Sequence, residues 1–154
     1  MSRIAEVIVL ALGNSHEVME PLLQYDDDRS WSGNFVPIPS SLGEGTMYGW
    51  ASEFVRVGSR TGLLKHLESL SWDRPESVQV LIHDDEDDCF GLWMIHEGKL
   101  VEIPLPRTER YHAPAPETLE FAPSPGYLLR TDQGEGHWQP EQTPEHLRDP
   151  RPAW

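Results

Sequence analysis

Asp84-Asp85-Glu86-Asp87-Asp88 is the sharpest charge feature of this sequence, and His83 and Cys89 stand at its two ends. Clustered carboxylates can hold a hard cation through oxygen or draw in basic side chains. The calcium-loop spacing, with its central glycine and distal glutamate, is absent here. His83 and Cys89 are zinc-ligand types, but no second pair stands at zinc spacing. The run therefore reads as a solvated loop between two strands, and as a docking point for a basic protein. No metal and no cofactor are expected. A second acidic run, Asp26-Asp27-Asp28, offers the same kind of surface.

Catalytic readings find less support. Cys89 as a nucleophile needs an accessible thiolate and a base, for which His83 and His96 are the candidates. A structural cysteine on a buried strand is the simpler reading. His16 with Glu17 and Glu20 has the composition of an acid/base cluster, yet His16 and Glu20 at i,i+4 on a helix make an ordinary surface pair. Gly43-Glu44-Gly45 lacks the lysine and hydroxyl residue of a phosphate loop and reads as a turn. An enzyme built on His16, His83 or Cys89 is thus the last-ranked reading. Trp138 is a different kind of candidate. It is a large aromatic in a stretch with little else to bury, and tryptophan is enriched at binding hot spots.

Charge narrows the partners. The chain of 154 residues carries a formal net charge of −14. Residues 1–104 hold 18 acidic and 7 basic side chains, whereas residues 105–154 hold 8 and 5. Such a body repels phosphate backbones, so direct nucleic-acid binding is not expected. Arginine supplies 10 of the 12 basic residues, a bias of GC-rich bacterial genomes. One cysteine excludes an internal disulfide and fits a reducing compartment. No apolar run is long enough to span a membrane, and the N-terminus lacks the pattern of a signal peptide. A soluble cytoplasmic protein is expected.

The elements that position these residues follow from apolar spacing. Ile4 to Leu12 is nearly all apolar and reads as a central strand. Val18, Met19, Leu22 and Leu23 share a helical face within Ser15–Tyr25, with Pro21 as the difficulty. Trp31–Pro39 reads as an edge strand and Met47–Val57 as a second strand, joined by a Gly-rich turn over Ser40–Thr46. Leu63, Leu64, Leu67 and Leu70 mark a second helix, capped by Ser59 or Thr61 and stopped before Pro75. Ser77–His83 and Cys89–His96 read as strands. The second is apolar on both faces and is expected to be covered on both. Glu97-Gly98 is a tight turn into Lys99–Ile103, an edge strand ended by Pro104 and Pro106.

This order gives an α+β fold. The expectation is a ferredoxin-like βαββαβ sandwich, an antiparallel sheet with two helices on one face, extended by one or two C-terminal strands. The globular domain spans residues 1–104. Residues 105–154 hold 9 of the 14 prolines and form an extended arm with apolar islands, including short strands near Thr118–Phe121 and Tyr127–Arg130 and a helical turn within Thr143–Trp154. The arm packs on the body or on a neighbour. The function expected is a non-catalytic acidic protein-binding module, the profile of immunity-type and inhibitor proteins. Its docking residues are Asp26, Asp27, Asp28, Asp84, Asp85, Glu86, Asp87, Asp88 and Trp138. The alternative is a structural subunit that self-associates through residues 105–154.

Overall fold

The computed structural model describes residues 4–39, 48–55, 57–111 and 126–132. The strands are β1 (Ala5–Leu10), β2 (Val36–Pro37), β3 (Gly49–Phe54), β4 (Gln79–Asp84), β5 (Gly91–His96), β6 (Lys99–Ile103), β7 (Thr108–Tyr111) and β8 (Tyr127–Arg130). Two helices accompany them, α1 (Ser15–Met19) and α2 (Leu63–Ser69). The first six strands form one antiparallel sheet in the order β2-β3-β1-β4-β5-β6, while β7 and β8 pair separately. The expected strand over Thr118–Phe121, the turn over Ser40–Thr46, Trp138 and the helical turn in Thr143–Trp154 lie outside the described residues.

β1 lies inside the sheet, between β3 and β4. Its apolar run conceals a period of two. Ala5, Val7 and Val9 are buried, Glu6 is exposed, and Ile8 and Leu10 are half-buried. The buried side chains meet Phe54 and Trp50 of β3 and Val80 of β4 in one core, and Met19, Leu22, Leu63 and Leu67 close it from above. Helices and core thus lie on a single face of the sheet.

The two helices are short for stated reasons. Pro21 has no N–H for an i→i−4 bond, so α1 stops at Met19 and the chain tightens into a 3-10 turn over Glu20–Leu23. At α2 no hydroxyl caps the start. Gly62 precedes it in the left-handed region at φ +78, and the helix ends where Leu70 turns extended. Leu63 and Leu67 are buried, while Leu64 and Leu70 are half-buried.

These lengths correct the expected ferredoxin-like two-helix sandwich. Helices of five and seven residues are about 7 and 10 Å long, against about 24 Å across six strands. They cannot form a covering layer. Irregular chain and aromatic rings fill it instead. Trp31 packs its ring 5.7 Å from Phe35 and 6.1 Å from Phe54, edge-on in both cases, and all three are buried. The same packing shortens the strand expected over Trp31–Pro39 to Val36–Pro37, because Trp31 and Phe35 leave the ladder for the core. The fold is mixed and sheet-rich.

β5 and β6 join through Glu97 and Gly98 at φ 51 and 76, the two positive values that a tight antiparallel turn requires. β6 ends the sheet. Its Leu100 N–H, which points away from β5, donates to Glu68 Oε2 of α2 at 2.7 Å, so a side chain covers part of the open edge. No helix among the described residues is long and apolar enough to cross a membrane.

Candidate docking face

The acidic loop after β4 works largely inside the fold. Asp84 is buried and pairs with Arg60 at 2.9 Å. Asp87 is buried as well. Its carboxylate accepts the Asp84 N–H at 3.0 Å and the Leu128 N–H of β8 at 2.7 Å. The Asp88 N–H donates to Leu128 O at 2.9 Å, and its carboxylate accepts the Arg130 N–H at 2.6 Å. Residues 87 and 88 therefore act as a short rung for β8. Asp85 and Glu86 are exposed. Asp26, Asp27 and Asp28 are all exposed, with Asp26 Oδ1 accepting the Asp28 N–H at 2.9 Å in a local turn.

A further clasp holds the β7–β8 pair to the sheet. Arg110 of β7 forks onto Glu102 of β6, with Nε 2.8 and 2.9 Å from the two carboxylate oxygens. Gly91 makes this approach feasible, since a Cβ there would meet Arg110 Nη2 at 3.0 Å. At the end of β8, Arg130 bonds Asp132 at 2.8 Å and holds that carboxyl below the usual carboxylate range. Because Glu102, Gly91 and Asp84 share the face of Val80 and Val7, the pair sits on the same side as the helices.

The catalytic candidates are engaged elsewhere. The His16 ring lies 5.3 Å from both Tyr48 and Trp50. Glu17 accepts from Asn14 Nδ2 at 2.7 Å. His83 Nε2 is 3.1 Å from Asp87 O, and its ring stacks on Phe90. Burial, followed by the Asp87 and Asp88 charges, pushes the Cys89 thiol up, so the thiolate that a nucleophile needs is disfavoured. Among the described residues no three His, Cys, Asp or Glu side chains gather to hold a metal ion.

The other face of the sheet carries no described element. Val36, Ala51, Ile8, Leu81, Leu92 and Ile103 stand side by side across all six strands. Gly49, Leu10, Gln79, Met94 and Val101 form a second row. The side chains of both rows beyond Gly49 are half-buried or exposed, up to 59% for Val36. The third row is polar. Glu53 faces Glu6 directly, and Glu6 faces His83, whose Nδ1 lies 3.6 Å from the Glu6 carboxylate. Among the described residues no element covers β5 on this face, and the tail expected to lie over it falls mostly outside them. Trp93 and Ile95 pack against the core, while Leu92 and Met94 belong to the open face.

No known protein family, curated protein or solved structure matches this chain.

A groove of about 530 Å³ runs along the acidic end of the face. Ile8 and Ala51 form its floor, with Gly33, Asn34 and Val36 on the β2 side, Phe90 on the β4–β5 side, and Glu6 and Glu53 within it. Nothing in the local sequence marks Glu6, Ala51, Glu53 or Phe90 for a role. The signal that brings them together is cross-strand register, and a β1 that is apolar on both sides gives no cue to that register.

Proposed function

We propose that this chain acts without catalysis, by docking a basic protein on the open face of its sheet. The observation that carries the reading is the apolar row from Val36 to Ile103, bordered by the Glu53–Glu6 row. An apolar surface this continuous marks an interaction site more often than a free one. The acidic border adds selection by charge. It favours cationic partners and speeds their encounter, more than it tightens the complex. The net charge of −14 works in the same direction at longer range, and it opposes both nucleic acid and close packing of a second copy.

In this reading Asp26, Asp27, Asp28, Asp85 and Glu86 contribute to the attracting field, while Asp84, Asp87 and Asp88 build the scaffold. An immunity-type or inhibitor role is the narrower form of the same proposal, in which the bound protein is silenced. Assaying the captured partner with and without this chain tests that narrower form.

The test uses immobilised full-length chain and native cell lysate, eluted with a salt step and read by mass spectrometry. A Leu81→Gln/Leu92→Gln variant with unchanged circular dichroism serves as the comparison. The expected result is a basic protein released at moderate salt and missing from the variant. Equal capture by both chains defeats the reading. Recovery of the bait alone, running as a larger species, replaces it with self-association through residues 105–154.

A further inference from the structure

Resting on the docking reading, we infer that the groove over Ala51 receives an arginine side chain of the partner. The ligand chemistry follows from what lines the groove. Glu6 and Glu53 are direct cross-strand partners on adjacent strands, about 5 Å apart. Like charges directly opposite in a sheet repel each other and are destabilising. Among the described residues Glu53 has no cation within pairing distance, and Glu6 has only His83 at 3.6 Å. A single positive charge between them relieves the repulsion.

The groove also selects the kind of cation. Its floor is aliphatic, from Ile8 and Ala51, with Val36 at the side. That surface suits the three-carbon stem of an arginine, which packs on apolar side chains while its head stays polar. The guanidinium is planar and carries five donors, so it can serve both carboxylates at once, whereas an ammonium acts as a point charge. Phe90, backed by His83 at 5.0 Å between ring centroids, supplies an aromatic wall of the type that attracts arginine. The small side chain of Ala51 sets the depth. It lies between Val36 and Ile8, and any larger residue at this position raises the floor. The volume exceeds that of one side chain, so the residues flanking the arginine enter as well.

The probe is the tripeptide Ac-Val-Arg-Val-NH2, titrated into the full chain labelled with nitrogen-15. Its lysine and citrulline counterparts are the controls. The expected amide shifts concentrate at Gly33, Asn34, Ala51 and Glu53. Arginine binds more tightly than lysine, and the uncharged citrulline peptide causes no saturating shift. Ala51→Leu removes the response, and Glu6→Gln/Glu53→Gln weakens it about tenfold, the combined effect of two exposed ion pairs. Shifts that scatter over Asp26–Asp28 and Asp85, or that survive Ala51→Leu, overturn the assignment, as does equal binding of citrulline. The two readings fail separately. Lysate capture lost in Leu81→Gln/Leu92→Gln but intact in Ala51→Leu sinks the arginine site and leaves the docking face standing. Capture unaffected by either variant sinks the docking face.

Discussion

Asp87 Oδ1 accepts the backbone N–H of Leu128 at 2.7 Å, a buried bond between positions 41 residues apart. With the Asp88–Leu128 and Asp88–Arg130 bonds, it converts the most acidic loop of the chain into a clasp for β8. Removing the Asp87 carboxylate leaves two buried N–H groups, on Asp84 and Leu128, without an acceptor. The expected cost for Asp87→Ala is about 1–3 kcal/mol for each orphaned donor. Hydrogen exchange locates it. The Leu128 and Arg130 amides should lose protection first, while Val7 and Val9 in the central strand exchange with the global opening.

Arg60 and Asp84 form the second internal use of that loop. The Asp84 carboxylate is almost wholly buried, and its Oδ1 has no partner among the described residues, so its charge depends on Arg60 at 2.9 Å. Arg60→Ala leaves a buried charge without its counter-ion, and about 3–5 kcal/mol of stability should be lost. The double variant Arg60→Met/Asp84→Leu removes both charges and should recover much of that loss. Urea unfolding of the two variants decides it. A double variant no more stable than Arg60→Ala would mean that packing around Asp84, not the unpaired charge, sets the cost.

Acidification should weaken the helix-bearing face through His66. Trp31 donates Nε1–H to His66 Nδ1 at 2.9 Å, a bond that only an imidazole unprotonated at Nδ1 can accept. Burial, followed by the nearby Arg29 charge, lowers the His66 pKa from 6.5 in spite of Asp26. The unfolded chain thus binds this proton more readily than the folded one. The stabilisation is complete above pH 6.5, declines as pH falls below that value, and is gone once the folded-state pKa is passed. Urea midpoints at about pH 7.5 and about pH 5 should differ more for the natural chain than for His66→Gln, whose side chain can still accept the Trp31 N–H. Equal differences would assign the slope to other groups.

The strand pattern was largely legible from spacing. Val80 and Ile82 alternate with Gln79 and Leu81 in β4 as expected, and the Glu97-Gly98 turn and the edge strand Lys99–Ile103 follow from glycine and proline chemistry. The helices were legible as apolar faces but not as lengths. Leu63 and Leu67 point to a helix, yet nothing local shows that aromatic packing by Trp31 and Phe35 fills the layer a longer helix would occupy. The acidic loop misleads for a related reason. Five carboxylates in a row look solvated, and only tertiary contacts with Arg60, 24 positions from Asp84, and Leu128, 41 from Asp87, reveal that Asp84 and Asp87 are buried. The open face is a property of register, which residue spacing alone does not carry. Ile8 and Val9 are equivalent in sequence, and pairing alone places Val9 in the core and Ile8 outside.

The two faces of the sheet should respond to substitution in opposite ways. Leu67, fully buried on α2, should cost about 2–5 kcal/mol on replacement by alanine. Leu81, half-buried on the open face, should cost less, about 1–2 kcal/mol as Leu81→Gln, since part of its apolar surface stays wet in the free protein. Glu53→Gln should go further and stabilise the chain by about 0.2–1 kcal/mol, because it removes a like charge directly across from Glu6. A residue pair that weakens the fold while bordering an apolar groove is the pattern of a surface shaped for a partner rather than for stability. Thermal melts of Glu53→Gln and Glu6→Gln at low and high salt check this. Both variants should melt above the natural chain at low salt, and the gap should narrow as salt screens the repulsion. A fall in melting temperature instead would show that Glu53 holds a structural contact, and it would remove the repulsion on which the arginine assignment rests.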